Sequence, residues 1–102
     1  MKVCLKRTGG LAGILRQWEV DGRRLSPVQL KELKKILEEA NFFGLPSELR
    51  SPGESRDVFF YQLEVEDEGR THTVKCSEPS LAEPLRDCIE WILKTNSSRG
   101  VI

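Results

Sequence analysis

The 102-residue chain contains no apolar run approaching the length of a membrane span. Its start, Met1-Lys2-Val3-Cys4-Leu5-Lys6-Arg7, has no apolar stretch long enough for a secretory signal. Net charge is absent too, with 16 basic and 16 acidic residues, which argues against a nucleic-acid domain with its net basic surface. There is one histidine, and no Cys-x-x-Cys, His-x-x-x-His or Glu-x-x-His spacing. Structural zinc sites normally use such close ligand pairs, so no metal or other cofactor is expected. The three cysteines, Cys4, Cys76 and Cys88, cannot all pair within one molecule, and an odd count without a signal fits a reducing cytoplasm.

What is present is a globular composition, 38% hydrophobic and 31% charged, of one domain's length spanning residues 1–102. The balanced charge conceals an asymmetry. Residues 1–35 carry nine basic and three acidic side chains, against seven and thirteen in 36–102, a split able to steer a polar partner. Lys2 to Thr8 alternates as a half-buried strand, with Val3 and Leu5 on one face and Lys2, Cys4 and Lys6 on the other. Ile14 to Val20 alternates again, with Ile14, Trp18 and Val20 opposite Leu15, Gln17 and Glu19. Between them, Thr8-Gly9-Gly10-Leu11-Ala12-Gly13 breaks the strand and forms a loop at the hairpin tip.

Ser26, Pro27 and Gln29 form a helix start with an N-cap, a proline at the first helical position and a capping-box partner. Leu30, Leu33, Ile36, Leu37 and Ala40 supply its buried stripe. The segment from Gly44 to Arg56, rich in Gly, Pro and Ser, reads as a long loop. A strand from Asp57 to Glu66 follows, with Phe59, Tyr61, Leu63 and Val65 on one face. Asp67-Glu68-Gly69 is a hairpin turn into a return strand, Arg70 to Cys76. A second helix is expected from near Ser80, its stripe being Leu81, Leu85, Cys88, Ile89 and Ile92, with a frayed tail from about residue 96. The order is β-β-α-β-β-α. The economical architecture is an α+β fold, a four-stranded, mainly antiparallel sheet with two helices packed on one face.

Chemistry is sparse. His72 lies mid-strand, and Cys76, four residues along an extended chain, is roughly 13 Å away, too far for a nucleophilic pair. Glu64, Glu66, Asp67 and Glu68 lack the ligand pattern of a calcium loop and read as a solvated hairpin end. The glycine-rich loop precedes a strand rather than a helix, so it is no phosphate cradle. It reads as a flexible turn or as a recognition loop. Leu11 and Ala12, flanked by glycines, give the latter its weight beside the former, because an apolar side chain at a loop tip is a common anchor for a partner pocket.

Thr8-Gly9-Gly10-Leu11-Ala12-Gly13-Ile14-Leu15-Arg16, after a short basic strand, resembles the opening of the emfourin family. Arg56-Asp57-Val58-Phe59-Phe60-Tyr61-Gln62-Leu63 and the Ser80-Leu81…Pro84-Leu85 segment extend the resemblance over nearly the whole chain. The three cysteines depart from the family pattern. The resemblance implies a protein inhibitor of thermolysin-like zinc metallopeptidases such as protealysin, and no enzyme. The partner would be the peptidase, with the free chain a monomer. Gly9, Gly10, Leu11, Ala12 and Gly13 would then enter the cleft, and Arg7 and Arg16 would pair with acidic surface around it. The loop from Gly44 to Arg56 is the rival contact. The alternative is a small, non-catalytic interaction or regulatory module.

Overall fold

The computed structural model describes residues 1–9, 15–49 and 58–97. Strands β1 (Lys2–Gly9) and β2 (Arg16–Asp21) are followed by helix α1 (Pro27–Glu39). Then come a two-residue strand β3 (Glu48–Leu49), the hairpin β4 (Phe59–Asp67) and β5 (Arg70–Ser77), and helix α2 (Glu83–Ser97). The sheet order is β2-β1-β4-β5-β3. All neighbours are antiparallel except the β3–β5 pair, which is parallel. The α+β class and the one-sided packing are as expected; the strand count is five rather than four.

The fifth strand lies inside the segment read as a loop. Two residues are too few for alternation to show, and tertiary bonds hold it instead. Lys75 N–H donates to the Ser47 carbonyl at 2.8 Å. His72 Nε2 lies 2.7 Å from the Leu45 carbonyl oxygen, so that nitrogen carries the proton and donates. The His72 ring also packs edge-on against Phe42, a fully buried residue just past α1.

The capping box at Ser26 forms in both directions: Ser26 Oγ accepts from Gln29 N–H at 3.1 Å, and Gln29 Oε1 accepts from Ser26 N–H at 3.1 Å. Asp21 ends β2 by capping the short turn Gly22–Arg24, accepting from Arg23 N–H at 3.0 Å. The hairpin between β4 and β5 turns through Glu68 and Gly69, both at positive φ, as a tight two-residue turn requires. The second helix begins at Glu83, not near Ser80. Ser80 belongs to a separate short turn, Glu78–Ser80, where its hydroxyl accepts from Ser77 N–H and lies 2.7 Å from the Ser77 carbonyl oxygen. Pro84 therefore falls at the second helical position, where its missing N–H costs nothing. Asn96 and Ser97 are helical; the remainder of the expected tail lies outside the described residues.

The core sits between the sheet and the two helices. Val3, Leu5, Leu63, Val65 and Val74 are wholly buried from the strands, and Leu33, Cys88 and Ile92 from the helices. Each such aliphatic side chain contributes about 1.5–3 kcal/mol on burial. The opposite sheet face carries Lys2, Cys4 and Lys6, Gln17 and Glu19, and Glu64 and Glu66, and neither α1 nor α2 covers it.

Candidate functional site at one end of the sheet

Register places the roots of both sequence-predicted loops together. At the end of β1, Gly9 pairs with Phe59 at the start of β4. Arg7 pairs with Arg16 at the start of β2, Phe60 with Ser77 at the end of β5, and Leu49 with Cys76. Gly9, Leu15, Leu49 and Val58, the described residues on either side of 10–14 and 50–57, thus stand at the same end of the sheet. Gly10, Leu11, Ala12, Gly13 and Ile14 lie outside the described residues, as does the whole of the rival loop beyond Leu49.

Gly9 is at φ +104°, a backbone conformation that side-chain-bearing residues rarely adopt. A Cβ built there would stand 2.6 Å from the Val58 carbonyl oxygen. The root of the first loop is therefore pressed against the last residue before β4, and only glycine fits.

Arg7 is half-buried, on the helix-covered face of β1. Its guanidinium carbon lies 4.5 Å from the centre of the Phe59 ring and 5.2 Å from that of Trp18. A cation between two rings ties β1, β2 and β4 together where the first loop begins. Burial pushes the Tyr61 hydroxyl above its usual range, and the Arg7 guanidinium beside it pulls the other way. Arg7 is thus engaged inside the fold, whereas Arg16 is exposed. Of the expected contact residues described, the structure brings Arg7, Gly9 and Arg16 to one end of the sheet, with Arg7 occupied as a brace.

A cleft opens at this end on the uncovered face, with a volume of about 330 Å³. Leu15, 58% exposed, stands beside it. Sequence reasoning passed over Leu15, Phe60 and Ser77 as site residues. The signal for Leu15 was its place among Gln17 and Glu19 on a polar strand face. Ser77 gave none, since its burial depends on how β5 meets the turn that follows.

Cys76 and Cys88 are not poised for nucleophilic work. Burial pushes the Cys76 thiol up to about 11 and the Cys88 thiol up to about 12, leaving both protonated near neutrality. Among the described residues, no three His, Cys, Asp or Glu side chains gather as a metal-binding group, and no helix is long and apolar enough to cross a membrane.

A mainly antiparallel sheet with both helices on one face, and two loop roots at one of its ends, defines a small α+β scaffold. The Emfourin family model matches residues 5–93, and the chain belongs to the emfourin family. No curated protein and no solved structure matches the chain.

Proposed function

We infer that this chain is a protein inhibitor of a thermolysin-like zinc metallopeptidase and acts by placing its loops in the active-site cleft. Membership of the emfourin family supports the class of partner. The observation that carries the mode of action is the convergence of both loop roots at one end of the sheet. A narrow enzyme cleft admits adjacent loops on a rigid scaffold far more readily than a flat sheet face.

In this reading Gly9, Gly10 and Gly13 let the first loop approach the cleft closely, and Leu11, with Ala12 beside it, fills the pocket for a bulky apolar side chain. Arg16, exposed beside the loop, meets acidic surface on the rim. Arg7 acts behind it by bracing the loop root. The inhibitor is a single-domain cytoplasmic monomer before it meets the enzyme. It works by occlusion and needs no cofactor.

The test is inhibition of a purified thermolysin-like peptidase by wild type and Leu11→Glu. The substitution should weaken inhibition about tenfold or more, as loss of a buried anchor does, with the melting temperature unchanged. A large loss of stability instead would make Leu11 a core residue and refute its role as anchor.

A further inference from the structure

The cleft on the uncovered sheet face has three features that the loop mechanism leaves unused. Its apolar walls are Leu15, Leu49 and Phe60, and Leu15 is the exposed large hydrophobe at this end of the sheet. At about 330 Å³ it is at the small end of ligand sites and suits one ring-bearing group.

Ser77 lines it and is 0% exposed. Ser77 Oγ faces Ser80 N–H as the acceptor of a capping box, and among the described residues no acceptor takes its own hydroxyl proton. Even an incoming bond from Ser80 N–H would leave the hydroxyl proton without an acceptor. A buried donor with nothing to donate to is unfavourable, and it faces the same side of the sheet as Phe60 and Lys75.

Lys6 and Lys75 flank Gln62 across β1, β4 and β5, so their stems are about 10 Å apart, two inter-strand spacings. Neither has an ion-pair partner among the described residues. Glu48, also on the rim, already has an interaction of its own. The site therefore combines apolar walls, a proton donor at the floor and free cations at the mouth.

We propose that this cleft is a second contact site for the partner peptidase, taking a tyrosine side chain flanked by a carboxylate. The ring lies between Leu15, Leu49 and Phe60. Its phenol oxygen accepts the Ser77 proton, and the neighbouring carboxylate meets Lys6 and Lys75. The identity of the partner rests on the inhibitor reading above; the ligand chemistry does not.

The experiment follows backbone amide shifts while the full chain is titrated with N-acetyl-tyrosine, N-acetyl-phenylalanine or N-acetyl-tyrosinamide. The expected result is saturable shifts centred on Phe60, Lys75 and Ser77. Binding should be about fivefold weaker without the phenol oxygen and about threefold weaker without the carboxylate. Ser77→Ala should fold with unchanged or higher melting temperature and bind the tyrosine and phenylalanine probes equally. Absence of saturable shifts at millimolar probe, or a Ser77→Ala protein that keeps the tyrosine preference, overturns the proposal.

A peptidase assay separates this from the inhibitor reading. If wild type inhibits and the Lys6→Glu/Lys75→Glu variant inhibits equally well, the cleft is not a contact and the inhibitor reading stands. If the probes bind as expected and wild type inhibits nothing, the inhibitor reading fails while the ligand chemistry of the cleft stands.

Discussion

Replacing Gly9 with alanine tests the loop root directly. Two costs add. The positive φ of +104° strains any residue with a side chain, by about 1–3 kcal/mol. The new Cβ would also stand 2.6 Å from the Val58 carbonyl oxygen. That neighbour is backbone, the carbonyl that leads directly into β4, so relief requires β1 and the start of β4 to separate locally, at about 1–3 kcal/mol. Loss of glycine's freedom in the unfolded chain returns about 0.4–1 kcal/mol. The net is a destabilisation of about 2–4 kcal/mol, read as a fall in melting temperature of about 10 °C or more. Gly69→Ala provides the control. Gly69 also has positive φ, +79°, but nothing lies within 4 Å of its would-be Cβ, so only the strain applies, offset to about 1 kcal/mol. Chemical denaturation of both variants separates strain from collision. If Gly9→Ala costs no more than Gly69→Ala, the loop root is not pressed against Val58 and the picture of its rigid placement is wrong.

Other substitutions probe the remaining parts. Arg7→Ala should cost about 1–2 kcal/mol in urea melts through loss of its two ring contacts, and should weaken inhibition through the loop root that it braces. Ser26→Ala removes the cap of α1 and should cost about 1 kcal/mol without affecting inhibition. Thiol reagents at pH 8 should modify half-exposed Cys4 in the native protein and spare Cys76 and Cys88; rapid modification of all three would contradict their burial. The same burial sets an alkaline limit. Both buried thiols hold their protons more tightly folded than unfolded, so their contribution is full below about pH 9. It falls as pH rises toward the folded values of about 11 and 12, because deprotonation then favours the unfolded chain, and denaturation midpoints should drop across that window.

Elements specified by neighbouring residues were legible in the sequence. Ser26 with Gln29 set the start of α1, and Asp67-Glu68-Gly69 set the hairpin, since each is a local bond or dihedral requirement. The stripe Leu85, Cys88, Ile89 and Ile92 was legible from helical period, and all four are buried. What stayed hidden depends on distant partners. The pairing of Glu48–Leu49 with β5 rests on bonds to Lys75 and His72, more than twenty residues away. The start of α2 shifted because Ser80 bonds back to Ser77 rather than capping forward. At the site, composition pointed to the glycine-rich loop. It could not reveal that Arg7 lies between Trp18 and Phe59, because those rings arrive from two other strands. Nor could it reveal that the buried Ser77 hydroxyl finds no acceptor for its proton among the described residues.

The central claim is occlusion of a metallopeptidase by this chain. It is tested most directly by titrating a purified thermolysin-like zinc peptidase with the protein while following peptide hydrolysis, then weighing the recovered chain by mass spectrometry. The account predicts that activity falls to near zero at molar equivalence, with the chain recovered intact and the zinc still bound to the enzyme. Full hydrolytic activity at a large molar excess of the protein, or steady cleavage of the chain as an ordinary substrate, would contradict it.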